Sequence, residues 1–342
     1  MPLTCAIVAC LVGLGAETPV SAARASILTR PAGLVQAGNS KTACIYAGLA
    51  TTLITAEHAT GMTYNCVETF SNADPTWADW VSPWLTHVQY GYGEWLAAAP
   101  RKRTVIITQN LIPDSEKNNP NWRAEGAAGM FNKYARALAQ ELVASGFGYS
   151  VIRLGHEMNG IWDNDTIGTN PGQWRQWARY FAQIVKTMRV ARGAHFLFDW
   201  NVLAGYRDIR LGDYYPGDRY VDIVGIDQYD EGADGPLPPT SSPSRWHDLV
   251  NEPLGLVDVY RFAQKHGKAL SIPEWGTVNS PDNGDDGAYV AHMGHFITTH
   301  DVAYQSWFDA GDDGIYPLTA TAAPHSLAAY VARIARPARV SS

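Results

Sequence analysis

Two short segments each place one glutamate where an apolar run gives way to a glycine-containing stretch. The first reads R-L-G-H-E-M-N-G-I-W at 153–162 and contains Glu157. The second reads S-I-P-E-W-G-T at 271–277 and contains Glu274. A lone glutamate at such a position is usually a solvated loop residue. Two that converge in a tryptophan-rich setting fit glycoside hydrolysis, in which one carboxyl protonates the leaving oxygen and the other attacks or activates water.

The elements that must position these glutamates alternate between strand and helix patterns from residue 43 onward. Strands are predicted at 44–47, 62–69, 104–108, 150–154, 195–200, 221–226, 269–272 and 303–307. Helices are predicted between them, among others from Pro171, over 246–265 and over 287–298. Eight strands predict an α/β fold of the single (β/α)8 TIM barrel type, because a doubly wound sheet more often has five or six strands. Both glutamates then lie at the carboxyl ends of strands, where barrel enzymes carry their active sites.

The sequence lacks the motifs that other classes of enzyme require. A zinc-protease helix that began at His156 would need a second histidine where Gly160 stands. The chain contains neither a G-x-S-x-G elbow nor a phosphate-binding G-x-x-x-x-G-K-[ST] loop. The acidic segment 282–287 does not have the spacing of a calcium loop. We therefore expect neither a metal nor an organic cofactor.

Composition points to a neutral ligand. The 342 residues carry 26 Lys and Arg against 33 Asp and Glu, a formal net charge of -7, so the chain lacks the basic surface that nucleic acid or an anionic membrane requires. Twelve tryptophans offer apolar ring faces that suit sugars. The predicted partner is a polysaccharide or oligosaccharide substrate, and the predicted oligomeric state is a monomer.

The first residues resemble an export signal. An apolar run at 5–16 is followed by small residues at Ala23 and Ala25, although no basic residue precedes Arg24. The predicted organisation is a signal peptide at 1–25, a lead-in at 26–42 and the catalytic domain at 43–338, in a secreted protein. After removal of the signal, Cys44 and Cys66 remain, and the sequence leaves open whether they form a disulfide or are two small buried hydrophobic residues.

The motifs at 153–162, V-G-I-D-Q-Y at 224–229 and P-E-W-G at 273–276 together resemble glycoside hydrolase family 26, of the clan A retaining hydrolases. The histidine that precedes the first glutamate is fairly specific to that family. The resemblance implies a double-displacement mechanism with Glu157 as acid/base and Glu274 as nucleophile. It also implies that Tyr229 holds the nucleophile.

Further positions of the sugar site follow from the same resemblance. Arg153 and His156 match residues that line the site or orient its carboxylates. Trp162 and Trp307 match aromatic positions around the first subsites, and Trp200 and Trp275 are secondary candidates at the ends of their strands.

The resemblance leaves the substrate open. It implies a β-linked polysaccharide, with endo-β-1,4-mannanase activity first and β-1,3-1,4-glucanase or β-1,3-xylanase activity as alternatives. A hydrolase that processes exopolysaccharide is a further possibility. A barrel that binds carbohydrate without turnover is the alternative from another functional class.

Overall fold

The computed structural model describes residues 42–48, 52–71, 74–99, 102–207, 209–231, 240–278, 284–309, 318 and 323–335. Eight parallel strands follow chain order around a closed barrel, and the last pairs with the first. They are β1 Thr42–Tyr46, β2 Cys66–Phe70, β3 Thr104–Gln109, β4 Val151–Leu154, β5 Leu197–Leu203, β6 Ile223–Asp227, β7 Ala269–Trp275 and β8 Val302–Phe308. The predicted (β/α)8 barrel is confirmed. The predicted signal peptide at 1–25 and the lead-in up to residue 41 lie outside the described residues.

Helices cover the outside of the barrel. They are α1 Leu53–Thr60, α2 Trp77–Trp80, α3 Tyr92–Ala97, α4 Trp122–Ala127, α5 Asn132–Ala144, α6 Pro171–Met188, α7 Arg245–Val250, α8 Leu256–Lys265, α9 Gly287–Thr299 and α10 Pro324–Tyr330. The longest, α6, begins as the sequence predicts, because Pro171 occupies its first turn and the Asn170 side chain accepts hydrogen bonds from two backbone N–H groups. Within the described residues, no helix is long and apolar enough to cross a membrane.

Some strand bounds differ from the prediction, since β2 begins at Cys66 and β5 continues to Leu203. Proline accounts for two further differences. The helix predicted at 246–265 is divided into α7 and α8, because Pro253 lies in the break and Leu254 adopts a φ of 56°. Strand β7 continues past its predicted end, through Pro273 to Trp275. Its pairing with β8 shifts register between Ile272 and Trp275, and a proline is tolerated where ladder pairing is interrupted. Glu274 therefore lies on the strand itself.

The barrel interior is filled in layers that change from apolar to charged. Its lower layer contains Ile106, Val151 and Leu197 together with Cys44 and Cys66. These two cysteines face each other across β1 and β2 and form a disulfide. Two residues further along their strands come buried polar side chains, among them Glu68, Arg153, Asp199 and Ser271. The core thus becomes a polar floor directly beneath the carboxyl ends of the strands.

Gly225 has no side chain and thereby leaves space for the side chains of Asp199 and Ser271 in this polar floor. A Cβ at that position would lie 2.6 Å from Asp199 Oδ1 and 2.8 Å from Ser271 Oγ. Ser271 Oγ and Tyr304 Oη each donate to Asp199 Oδ2 over 2.5 Å. Burial raises the pKa of Asp199 to about 6, against the effect of these two donors.

One connection departs from the strand–helix alternation. Among its described residues, the link between β5 and β6 contains a single 3-10 turn, Leu211–Asp213, and no α-helix. The side of α6 that faces this link therefore lacks a neighbouring helix.

Candidate active site

Glu157 and Glu274 meet at the carboxyl end of the barrel. One carboxylate oxygen from each of Glu157, Asp227 and Glu274 lies within 4.8 Å of the others. Glu274 is buried, with 6% of its surface exposed, whereas Glu157 is half-buried. The three oxygens are close enough to share a cation, but Arg153 already donates to Asp227 and Glu274.

The backbone at Glu157 is held in an uncommon conformation. Its φ is 45°, in the left-handed region that favours glycine, and Gly155 two residues earlier has a φ of 60°. A Cβ at Gly155 would lie 2.2 Å from Leu111 Cδ1, so this tight turn requires glycine there. The backbone N–H of Glu157 donates to Asn201 Oδ1 over 2.9 Å. Such conformations persist only when surrounding contacts hold them, and they concentrate at functional sites.

Arg153 is the centre of a buried charge cluster. Its Nη1 donates to Glu68 Oε1 over 3.0 Å and to Glu274 Oε1 over 2.5 Å, and its Nη2 donates to Asp227. Nη2 also donates to Asn201 Oδ1 over 3.0 Å. The guanidinium matches several acceptors at once because its N–H groups are arranged in a planar fork. It therefore ties β2, β4, β5, β6 and β7 together beneath the two glutamates.

Glu274 receives donors at both carboxylate oxygens. Arg153 reaches Oε1, and Tyr229 Oη donates to Oε2 over 2.8 Å. Burial raises the pKa of Tyr229 far above its ordinary value, so the phenol keeps its proton and remains a donor. Asp227 Oδ1 accepts the backbone N–H of Glu274 over 3.1 Å. These contacts orient the Glu274 carboxylate and stabilise its negative charge.

Glu157 has the opposite electrostatic environment. Burial and, secondarily, the charge of Glu274 raise its pKa to about 8, although Arg153 and a hydrogen bond from Trp162 oppose the change. Burial likewise raises the pKa of Glu68 to about 8. Glu157 therefore carries a proton at neutral pH beside an oriented carboxylate.

His156 and Trp162 lie at the rim of this pair. Burial lowers the pKa of His156 to about 4, and its Nε2 lies 3.5 Å from Asp163 Oδ2, so the ring is neutral at pH 7. Trp162 is 48% exposed, and its ring centroid lies 5.1 Å from that of Tyr206. A Cβ at Gly160 would lie 2.5 Å from the Trp162 ring, so the indole rests directly on the backbone there.

The structure places the other three predicted tryptophans away from the site, and their assignment as substrate contacts is wrong. Trp200, Trp275 and Trp307 are fully buried. Trp275 and Trp307 pack on each other and on Tyr330 of α10, and Trp200 packs on Phe262 of α8. Because successive side chains of a strand point to opposite faces, these rings point outward to the helices.

Phe308, the residue after Trp307, points inward instead. Its ring centroid lies 4.6 Å from that of Tyr46 and 6.3 Å from that of Tyr229. Phe70 joins this group, at 5.0 Å from Tyr46 and 5.5 Å from His156. These inward-facing rings were not predicted as site residues from the sequence, and neither were Glu68, Asn201 and Asp227. Period-two alternation along each strand is a weak signal for them, because it shows which side chains share a face but not which face is the inner one.

Comparison with protein families matches residues 126–250 to the model of glycosyl hydrolase family 26. The matched region contains the motifs at 153–162 and 224–229, and the resemblance seen in the sequence is confirmed. It ends before Glu274.

Solved structures share the fold. A modular endo-β-1,4-mannanase from Cellulomonas fimi is 17% identical, with a TM-score of 0.58 over 83% of this chain and 66% of that one. A mannanase from Bacillus subtilis is 17% identical, with a TM-score of 0.54 over 88% of this chain and 87% of that one. A β-mannanase from Bacteroides ovatus is 14% identical, with a TM-score of 0.55 over 82% of each. The chain spans about two thirds of the Cellulomonas fimi protein.

Proposed function

We propose that this protein is a retaining endo-β-glycosidase, with β-1,4-mannan as its first candidate substrate. The observation that carries the proposal is the pairing of a protonated Glu157 with an oriented Glu274 whose oxygens lie within 4.8 Å. Retaining glycosidases have carboxyl groups about 5 to 5.5 Å apart, whereas inverting enzymes leave about 6.5 to 9.5 Å for a water. The family match supports a glycoside hydrolase, and the similar structures that are named as mannanases support mannan as the first substrate to test.

In this mechanism Glu274 attacks the anomeric carbon while Glu157 gives its proton to the departing oxygen. The product of this step is a glycosyl-enzyme ester and a free chain end. Glu157, now ionised, takes a proton from water, which attacks the anomeric carbon and releases Glu274. Tyr229 and Arg153 hydrogen-bond to the Glu274 carboxylate. They orient it for attack in the first step and stabilise its negative charge when it is released in the second. Both displacements invert the anomeric centre, so the product keeps the β configuration.

The decisive experiment measures reducing ends released from mannan, glucomannan, mixed-linkage β-glucan and β-1,3-xylan. We expect release from mannan or glucomannan, β-anomers as the first products by NMR, and no release by Glu274→Ala. First products of α configuration would overturn the retaining mechanism. Release from another polymer of the panel would change the substrate, and release by Glu274→Ala at the wild-type rate would overturn the nucleophile.

A further inference from the structure

A groove of about 760 Å³ runs along the outside of the barrel, away from the carboxylate pair. One wall is the exposed face of α6, and the other is the link between β5 and β6. The groove exists because the described residues of this link form only the 3-10 turn Leu211–Asp213, where the other links of the barrel supply an α-helix. The groove therefore results from the course of the backbone and does not depend on the conformation of a single side chain.

The lining of the groove combines small, aromatic and basic side chains. Along α6 the small residues Ala178 and Ala182 alternate with Arg175 and Arg179, one turn apart. Trp174 begins this face and is half-buried. The opposite wall contributes Arg210 and the half-buried rings of Tyr215 and Tyr220.

The charge of the groove is opposite to that of the whole chain. Three guanidinium groups line it against one carboxylate, Asp213, which lies 3.2 Å from Arg210. Within the described part of the chain, neither Arg175 nor Arg179 lies within ion-pair distance of a carboxylate, and both are exposed. Although the whole protein has a net charge of -7, the arginines make this concave surface locally positive, and it should attract anions.

The upper end of the groove approaches the rim of the candidate active site. Arg207 Nη1 donates to Gly168 O over 2.9 Å, and Trp174 Nε1 donates to the same oxygen over 3.3 Å. Arg207 follows Tyr206, whose ring contacts Trp162 at the rim. One backbone carbonyl thus joins Arg207, which follows the rim residue Tyr206, to Trp174, which lines the groove, so this end of the groove lies beside the rim.

We propose that this groove binds acidic polysaccharide, with Arg175 and Arg179 holding carboxylate substituents such as those of uronic acids while the aromatic rings contact sugar faces. Arginine recognises carboxylates through paired N–H donors, and aromatic side chains offer apolar surface to sugars. The choice of a glycan rests on the proposed function. It is favoured over a nucleic acid because the end of the groove at Trp174 lies beside the rim of the candidate sugar site.

The test measures binding by affinity electrophoresis in gels that contain polygalacturonate, alginate or konjac glucomannan, at 50 and 500 mM NaCl. The protein is Glu274→Ala, so that no polymer is cleaved. We expect retardation by an acidic polymer at low salt, and at least a tenfold loss of affinity in R175Q/R179Q. The loss of retardation at high salt follows from screening of exposed charges. Arg192→Gln, an exposed arginine outside the groove, should bind as the parent does.

Three outcomes would overturn the proposal. They are unchanged affinity in R175Q/R179Q, an equal dependence on these arginines for neutral glucomannan, and tighter binding of a thymidine oligonucleotide at the same residues. Hydrolysis separates this proposal from the proposed function. With Glu274 intact, R175Q/R179Q should cleave a short neutral mannooligosaccharide within twofold of wild type, so a failure of groove binding leaves that activity unaffected.

Discussion

Asn201 Oδ1 accepts the backbone N–H of Glu157 over 2.9 Å and thereby anchors a residue whose φ is 45°. The same oxygen accepts from Arg153 Nη2, and Asn201 Nδ2 donates to Asp227 Oδ1 over 2.9 Å. Asp227 Oδ1 in turn accepts the N–H of Glu274. A single buried amide therefore connects the backbones of both glutamates, so their separation depends on a side chain that touches neither carboxylate.

Replacement of Asn201 by alanine should lower kcat on a mannooligosaccharide by about 100-fold, because a displacement of about 1 Å of a catalytic group costs about that much. KM should change much less, since Asn201 is fully buried beneath the glutamates. Steady-state kinetics with Asn132→Ala as control, a half-buried asparagine between α5 and α6, tests this. A rise in KM with unchanged kcat would contradict the positioning role.

The pKa of Glu157, raised to about 8, predicts the basic limb of the pH profile. In the proposed mechanism Glu157 must be protonated for the first displacement, so kcat/KM should fall tenfold per pH unit above about pH 8. Glu157→Gln should reduce hydrolysis of polysaccharide by about 100-fold to 10,000-fold. On a dinitrophenyl glycoside, whose leaving group needs no proton, the variant should keep its kcat/KM and lose the basic limb.

The matched control for this prediction is Glu94→Gln, an exposed carboxyl of α3. It should leave the pH profile unchanged. A basic limb that persists at pH 8 in Glu157→Gln on the activated substrate would assign this titration to another group.

The location of both glutamates could be predicted from the sequence because barrel geometry brings strand ends together. Glu157 and Glu274 each follow an apolar run, and β4 and β7 are far enough apart in the barrel for their ends to face each other. The supports of these glutamates carry a weaker local signal. Glu68 lies in the middle of β2 and Asp227 is the last residue of β6, and in the sequence each looks like a solvent-facing charge. Only the closed barrel shows that both contact Arg153.

The tryptophans show a second limit. Trp307 and Phe308 are both apolar and adjacent, and a shift of one residue in a strand exchanges the inner and outer faces. The inner face of β8 follows from its pairing with β1, where Ile45 lies opposite Trp307 and Tyr46 opposite Phe308. The sequence contains no marker of that register, so it does not show which of the two rings faces the sugar site.

Trp162→Ala should therefore weaken substrate binding, whereas Trp307→Phe should lower the stability of the fold. Trp162 is half exposed at the rim, so its loss should raise KM about tenfold with little change in melting temperature. Trp307 is fully buried against Trp275 and Tyr330, so its truncation should lower the free energy of unfolding, by less than the ~3–5 kcal/mol of a full change to alanine. Kinetics and thermal melts of both variants test this. A rise in KM without a loss of stability in Trp307→Phe would restore its assignment to the sugar site.

Tyr229→Phe removes one of the two donors on Glu274 and little else. A hydrogen bond to a charged group contributes about 1.5–3 kcal/mol, so kcat/KM should fall by about 10-fold to 100-fold. The loss should appear in kcat, because the donor acts on the carboxylate that attacks the anomeric carbon in the proposed mechanism. Tyr149→Phe, an exposed phenol distant from the site, is the control. A rise in KM with unchanged kcat would show that Tyr229 does not act through the carboxylate.

Asp199 should make stability depend on pH in the direction opposite to that of most carboxylates. Its pKa in the folded protein, about 6, lies above the ordinary 3.8, so the folded state binds this proton more tightly than the unfolded chain does. The resulting stability is complete below pH 3.8 and disappears as the pH rises through 6. Asp199→Asn stays neutral, so wild type should lose up to about 3 kcal/mol relative to the variant between pH 4 and 7. Urea unfolding across this range measures the difference.

Asp218→Asn is the control. The pKa of Asp218 is lowered in the folded protein, with a contribution from a hydrogen bond donated by His266, so its effect on stability should change with pH in the opposite direction. Parallel stability curves for wild type and Asp199→Asn would mean that Asp199 is ionised throughout, held by Ser271, Tyr304 and the positive charge of Arg153.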